Sequence, residues 1–201
     1  MSILIAPTLV SLVGVPSSGK STIATILKNT LGVRHLDIDA DVRAPYFGVP
    51  PDNDGTDETI ARRDRIEMAG AYDILFGLMQ GFLRAGRSLI TSCTMSSEEH
   101  GQRRLDAMFT ALKSKNRDLL LRVIWCKPEL SDQDLQSRIE ARLASGYTGA
   151  TTSARRVRDL EALFNAIVLP HLVLNTVAPD DPSTSAKIAI EYVVNPQPHD
   201  L

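Results

Sequence analysis

The chain has 201 residues, with 24 acidic and 22 basic side chains for a formal net charge of −2, and 43% of it is hydrophobic. Such a chain supports one globular domain with a substantial core and excludes wholesale disorder. The charge balance supplies no global attraction to nucleic acid or an anionic membrane. No run is apolar for the length of a membrane span, and the apolar N-terminus lacks a basic leader, so the expected compartment is the cytoplasm.

In chain order, Thr8 to Val13 reads as a first strand that feeds directly into a glycine loop. A helix follows from about Ser21 to Leu31, with Ile23, Ile26, Leu27 and Leu31 at helical spacing and Gly32 as its C-terminal cap. His35-Leu36-Asp37-Ile38 reads as a second strand ending at Asp39, and Ala44 to Thr59 as a long polar loop. The next helix is expected from about Ile60 to Ala85. Its stripe of Tyr72, Leu75, Phe76, Met79, Phe82 and Leu83 reads as core packing.

Ser88 to Cys93 reads as a third strand, Glu98 to Lys113 as a helix, and Leu119 to Cys126 as a fourth strand. Two helices are expected near Ser131–Ser145 and Ala154–Ile167, on either side of a Gly/Thr-rich loop over residues 146–152. His171 to Thr176 reads as the last strand, followed by a closing helix to about Val194 and a frayed tail over 195–201. Strands alternating with helices imply an α/β fold, a parallel sheet with helices on both faces. No repeat, low-complexity tract or linker interrupts the chain, so residues 1–201 are read as one domain. Cys93 and Cys126 fall in apolar runs and read as buried small hydrophobes; the four histidines form no ligand constellation.

The strongest chemical signal is Gly14-Val15-Pro16-Ser17-Ser18-Gly19-Lys20-Ser21, an instance of G-x-x-x-x-G-K-[ST]. At ordinary residue usage a chance match in a chain of this length is on the order of one in a hundred. Its position between an apolar strand and an amphipathic helix makes chance rarer still. Glycines let backbone N–H groups turn inward around phosphates, and the following helix offers its positive end. Residues Gly14, Pro16, Ser17, Ser18, Gly19, Lys20, Ser21 and Thr22 are therefore expected to hold ATP. Lys20 would reach the β- and γ-phosphates, and the Ser21 hydroxyl would ligate Mg²⁺.

Asp37, Asp39 and Asp41 cluster at the carboxyl end of the second strand, where an acceptor would lie in such a sheet. A carboxylate there can take the proton of an attacking hydroxyl. Asp39 is the preferred base and Asp41 the alternative, with Arg43 orienting the acceptor or its phosphate.

At these residues the chain resembles the small P-loop kinases of the adenylate kinase-like group, most of all the zeta toxin/polynucleotide kinase-like ATP-binding kinases. The resemblance rests on the glycine loop and on Asp39-Ala40-Asp41-Val42-Arg43 at the second strand. It continues through the entry to the third strand, Leu83-Arg84-Ala85-Gly86-Arg87-Ser88-Leu89-Ile90, and through Cys126-Lys127-Pro128-Glu129 followed by Arg138 and Arg142. Leu174-Asn175-Thr176 resembles the family's last strand, near which adenine lies. The resemblance implies a P-loop three-layer sandwich, with a five-stranded parallel sheet in order 2-3-1-4-5. It also implies a lid over about 131–158, whose arginines neutralise charge on the transferred phosphate. Arg138 and Arg142, four residues apart, would share one face of the lid helix, with Arg142 as the catalytic lid residue and Arg138 on the nucleotide. In one respect the chain departs from the family. The usual third-strand Asp is absent from Leu89-Ile90-Thr91-Ser92-Cys93-Thr94, which leaves Ser92 and Thr94 as hydrogen-bonding groups there.

These features point to a Mg²⁺- and ATP-dependent kinase that phosphorylates a hydroxyl of a small molecule. Two alternatives stand beside it. One is 5′-hydroxyl kinase activity on nucleic acid, which the missing basic stripe and 5% aromatic content disfavour. The other is a non-catalytic ATP-binding switch, which the absent third-strand carboxylate brings into view.

Overall fold

The computed structural model describes residues 4, 6–48, 58–94, 102–146, 153–162, 167, 169–176 and 182–195. Five parallel strands form one sheet: β1 (Thr8–Val13), β2 (Arg34–Asp37), β3 (Leu89–Cys93), β4 (Leu120–Cys126) and β5 (His171–Leu174), in spatial order β2-β3-β1-β4-β5. This is the order the resemblance implies. The helices are α1 (Lys20–Leu31), α2 (Ala44–Phe47), α3 (Glu58–Arg84), α4 (Gln102–Lys115), α5 (Asp132–Ala144), α6 (Ala154–Ala162) and α7 (Pro182–Val194). None of the described helices is long and apolar enough to cross a membrane.

The central strand explains the three layers. Successive strand residues point to opposite faces, and every residue of β1 is buried. Leu9 and Val13 pack with Leu75 and Met79 of α3 and with Leu105 and Phe109 of α4. Val10 and Leu12 pack on the other side, with Ile23 and Leu27 of α1 and Ala186, Ala189 and Val193 of α7. The α3 stripe read from the sequence is this core: Tyr72, Leu75, Met79 and Leu83 are buried, with Phe76 and Phe82 packed at its margin.

A smaller cluster is the one that positions the site. Val15 of the glycine loop is buried against Leu135 and Ile139 of α5 and Val157 of α6. Arg158 of α6 donates to Leu130 O at 2.6 Å and to Asp132 Oδ1 at 2.9 Å, tying α6 to the start of α5. The two helices expected as a lid are thus docked on the loop through a hydrophobic contact of their own.

The structure moves some expected boundaries. The second strand stops at Asp37, and Ile38–Arg43 form a π-helical turn. The cause is local: Asp37 Oδ1 accepts from the N–H groups of Asp39 and Ala40, which diverts the backbone from the sheet. The expected loop over Ala44–Thr59 opens with α2 and closes with the first turn of α3; residues 49–57 lie outside the described residues. Residues 147–152 and the tail beyond Asn195 lie outside them too.

Candidate active site

The glycine loop leaves β1 and turns through three left-handed or positive-φ positions, Gly14 (φ +150°), Ser17 (+62°) and Gly19 (+85°). Gly14 is fixed by a close approach: a Cβ there would collide with the carbonyl oxygen of Cys126 on β4. Gly14→Ala is therefore expected to cost roughly 1–3 kcal/mol and to lower the melting temperature measured by circular dichroism. An unchanged melting curve would refute this reading of the turn. Gly19 caps α1 without any side-chain hydrogen bond, so the first-turn N–H groups of that helix face an open cavity. Thr176, just past β5, braces the loop by donating from Oγ1 to Ser18 O at 2.6 Å.

Lys20 folds back over the loop. Its Nζ donates to Gly14 O at 2.7 Å and Val15 O at 2.6 Å, with Ser18 Oγ at 3.3 Å. Burial holds its amine below the ordinary lysine range, so an anion brought beside it would be bound by a desolvated cation. The Cys93 and Cys126 thiols nearby are pushed up to about 12 by burial, which leaves them protonated and unreactive at neutral pH.

A cavity of about 360 Å³ opens beside the loop. It is lined by residues 16–22, by Asp37 and Asp39, and by the end of β3 from Ser92 to Thr94. Arg138 and Arg142 of α5 line it too. Ser131 caps α5 by accepting from Asp134 N at 3.1 Å, and Leu135 and Ile139 anchor the helix, so both arginines project from a fixed element. Arg142 Nη1 reaches to 3.5 Å from Ser17 Oγ. Phosphate-loop donors, two carboxylates and two guanidinium groups thus converge from three separate chain segments.

Two residues read as acceptor-binding are held elsewhere. Asp41 accepts from Asp37 N at 2.8 Å and from Arg34 Nη2 at 3.2 Å. Arg43 is 4% exposed and forms ion pairs with Asp64 and Glu67 of α3. Neither lines the cavity, and together they clamp the turn that carries Asp39. Removing one partner of a buried ion pair typically costs about 3 kcal/mol. Arg43→Met is expected to lower the melting temperature by about 6–12 °C and to leave ATP affinity within a few-fold. A variant as stable as the parent would refute the clamp.

Sequence reading noted Asp37 within the acidic cluster but did not single it out, because only strand pairing reveals its place. The parallel register sets Asp37 opposite Ser92, and Ser92 Oγ donates to Asp37 Oδ2 at 2.7 Å. A carboxylate therefore stands at the end of β3 after all, supplied by the neighbouring strand.

Among the described residues no cluster of three His, Cys, Asp or Glu side chains could cage a metal. Mg²⁺ with a nucleotide does not need one, since it keeps several waters and takes phosphate oxygens. The exposed Ser21 hydroxyl and the Asp37 and Asp39 carboxylates of the same cavity are hard oxygen donors, and they fit a hydrated ion.

Sheet order, loop geometry and converging basic groups define a P-loop nucleotide-binding fold of the small-kinase type. The chain belongs to the AAA domain family, whose model matches residues 9–167. No curated protein matches it significantly in sequence. Solved structures similar to it include a protein from Chloroflexus aurantiacus j-10-fl taken to be a kinase, with TM-score 0.66 and 22% identity over 93% of this chain and 98% of that one. A sugar kinase from Janibacter sp. HTCC2649 has TM-score 0.61 and 16% identity over 95% and 99%. A gluconokinase from Sinorhizobium meliloti 1021 has TM-score 0.57 and 11% identity over 93% and 91%. At these identities the likeness establishes the fold.

Proposed function

We propose that the protein transfers the γ-phosphate of ATP to a hydroxyl of a small-molecule acceptor. The observation that carries this reading is the single cavity shared by the phosphate loop, Asp39 and the α5 arginines. Asp39 takes the proton of the acceptor hydroxyl as its oxygen attacks the γ-phosphorus. The bond from that phosphorus to the β,γ-bridging oxygen breaks, and the electron pair leaves with ADP. Asp39 is favoured over Asp41 because it lines the cavity and Asp41 does not.

Lys20, Arg138 and Arg142 offset the charge that spreads over the transferring oxygens, the main task of a protein in phosphoryl transfer. Mg²⁺, held by Ser21 and the phosphates, would neutralise the β- and γ-oxygens when bound. Arg43 serves the acceptor side indirectly, by locking the Asp39 turn to α3. The cavity volume suits a phosphoryl group with a small acceptor. Similarity in fold to a sugar kinase and a gluconokinase makes sugars the first acceptors to try.

The test is incubation with ATP and Mg²⁺ against sugars, nucleosides, amino alcohols and 5′-hydroxyl oligonucleotides, with mass spectrometry of the acceptors. A phosphorylated small molecule, absent with Lys20→Ala, supports the proposal. Phosphorylation of the oligonucleotides alone would replace it with the nucleic-acid reading. Bound ATP with no transfer to any acceptor would replace it with the switch.

A further inference from the structure

A directed chain of hydrogen bonds runs from the edge strand into the cavity. His35 and Asp37 lie two residues apart on β2 and share the sheet face carrying Ile90 and Ser92 of β3, to which they are paired in register. Ser92 Oγ stands 2.7 Å from Asp37 Oδ2 and 2.9 Å from His35 Nε2. A serine hydroxyl has one proton. With that proton given to the carboxylate, Ser92 Oγ accepts from the ring, which makes Nε2 the protonated nitrogen.

The second carboxylate oxygen, Oδ1, is taken by the N–H groups of Asp39 and Ala40 at 3.0 and 3.1 Å. Asp37 is thus held at both oxygens, by the turn that bears Asp39 and by the Ser92 hydroxyl. Each carboxylate oxygen has two lone-pair sites, so Oδ2 keeps one beyond the Ser92 bond, and the side chain lines the cavity.

We propose that His35 is a positioning residue that, acting through Ser92, holds the Asp37 carboxylate in the cavity as an acceptor for an O–H group at the phosphoryl site. The inference rests on the kinase reading above. A hydroxyl left to choose among partners rotates; one that accepts from a fixed ring N–H has its proton directed at Asp37. Burial lowers the His35 basicity, and Lys28 and Arg34 act in the same direction while Asp37 and Asp41 oppose them. The lowered basicity favours the uncharged ring, whose tautomer can be observed.

Long-range ¹H–¹⁵N NMR of the protein, with His35→Gln to assign the signal, reads that tautomer directly. The expected result is the Nε2–H form, shifting to a mixture in Ser92→Ala. An Nδ1–H ring, or one indifferent to Ser92→Ala, overturns the proposal. Initial rates of phosphoryl transfer to the acceptor that mass spectrometry identifies supply the second arm. His35→Leu is expected to lower kcat about tenfold with KM for ATP nearly unchanged, and His35→Gln, whose amide keeps an N–H donor, to recover most of the loss.

Full activity in His35→Leu, or no recovery in His35→Gln, also overturns it. Should His35→Leu not fold, Ser92→Ala against Ser92→Thr asks the same question, because threonine keeps the hydroxyl. A wild-type protein that transfers phosphate to no acceptor strikes the kinase reading, and the positioning role with it. Variants that match an active wild type strike the positioning role alone.

Discussion

Asp39→Asn is expected to reduce phosphoryl transfer by about 10²–10⁴-fold, the range a general base contributes, while ATP affinity changes by less than about threefold. The substitution keeps side-chain shape and removes the ability to accept a proton. Asp39 is a cavity-lining residue on a turn fixed from three sides. Asp37 accepts from its N–H, Asp41 anchors to Arg34, and Arg43 is paired with Asp64 beneath α3. The asparagine variant therefore inherits the same backbone, and a fall in rate reports chemistry. Single-turnover rates on the acceptor identified by mass spectrometry, with ATP affinity from calorimetry, make the comparison. Transfer at the parental rate would remove Asp39 from the mechanism and direct attention to Asp37.

Lys20→Ala is expected to lower transfer by about 10²–10³-fold, as loss of one preorganised charge donor does, and to weaken ATP binding as well. Both effects follow from the same geometry. The amine is desolvated, and it is held at 2.7 and 2.6 Å from the carbonyls of Gly14 and Val15, so it meets an arriving phosphate already in place. Ligand that binds only the folded state raises stability by about 2.7 kcal/mol at a hundredfold excess over Kd. Mg²⁺·ATP should therefore raise the melting temperature of the parent protein and raise that of Lys20→Ala far less at equal concentration. Equal shifts in both would mean that nucleotide binds without the lysine.

Much of the nucleotide side was legible in the chain because it depends on neighbours in sequence. The G-x-x-x-x-G-K-[ST] spacing, an apolar run before it and a helical stripe after it are all local, and the loop, β1 and α1 formed where they were expected. Arg138 and Arg142 share one helix face by their spacing, and both reach the cavity. The acceptor side was read less completely. Asp37, Asp39 and Asp41 are alternate residues of one short segment, and nothing in that pattern separates them. The π-helical turn does: Asp39 faces the cavity, Asp41 turns back to Arg34, and Asp37 becomes both cap and cavity wall.

Arg43 illustrates the same point through distance. Its partners Asp64 and Glu67 lie more than twenty residues along the chain, on α3. An arginine two residues past an aspartate pair reads as an acceptor ligand until α3 is seen to lie over it. Ser92 stood out in the sequence only, beside Thr94, as a hydrogen-bonding group in a segment without the family's carboxylate. Strand pairing gives it Asp37 as a partner and His35 behind it.

By itself the sequence determined the alternation of strands and helices, the glycine loop and the shared helix face of Arg138 and Arg142, because glycine conformational freedom and residue periodicity act over a few positions. The tertiary structure decided which of three carboxylates line the cavity and that a neighbouring strand supplies an acid beside β3. Those choices rest on hydrogen bonds and ion pairs between segments that meet only when the sheet assembles, and pairings of that kind leave no periodic trace along the chain.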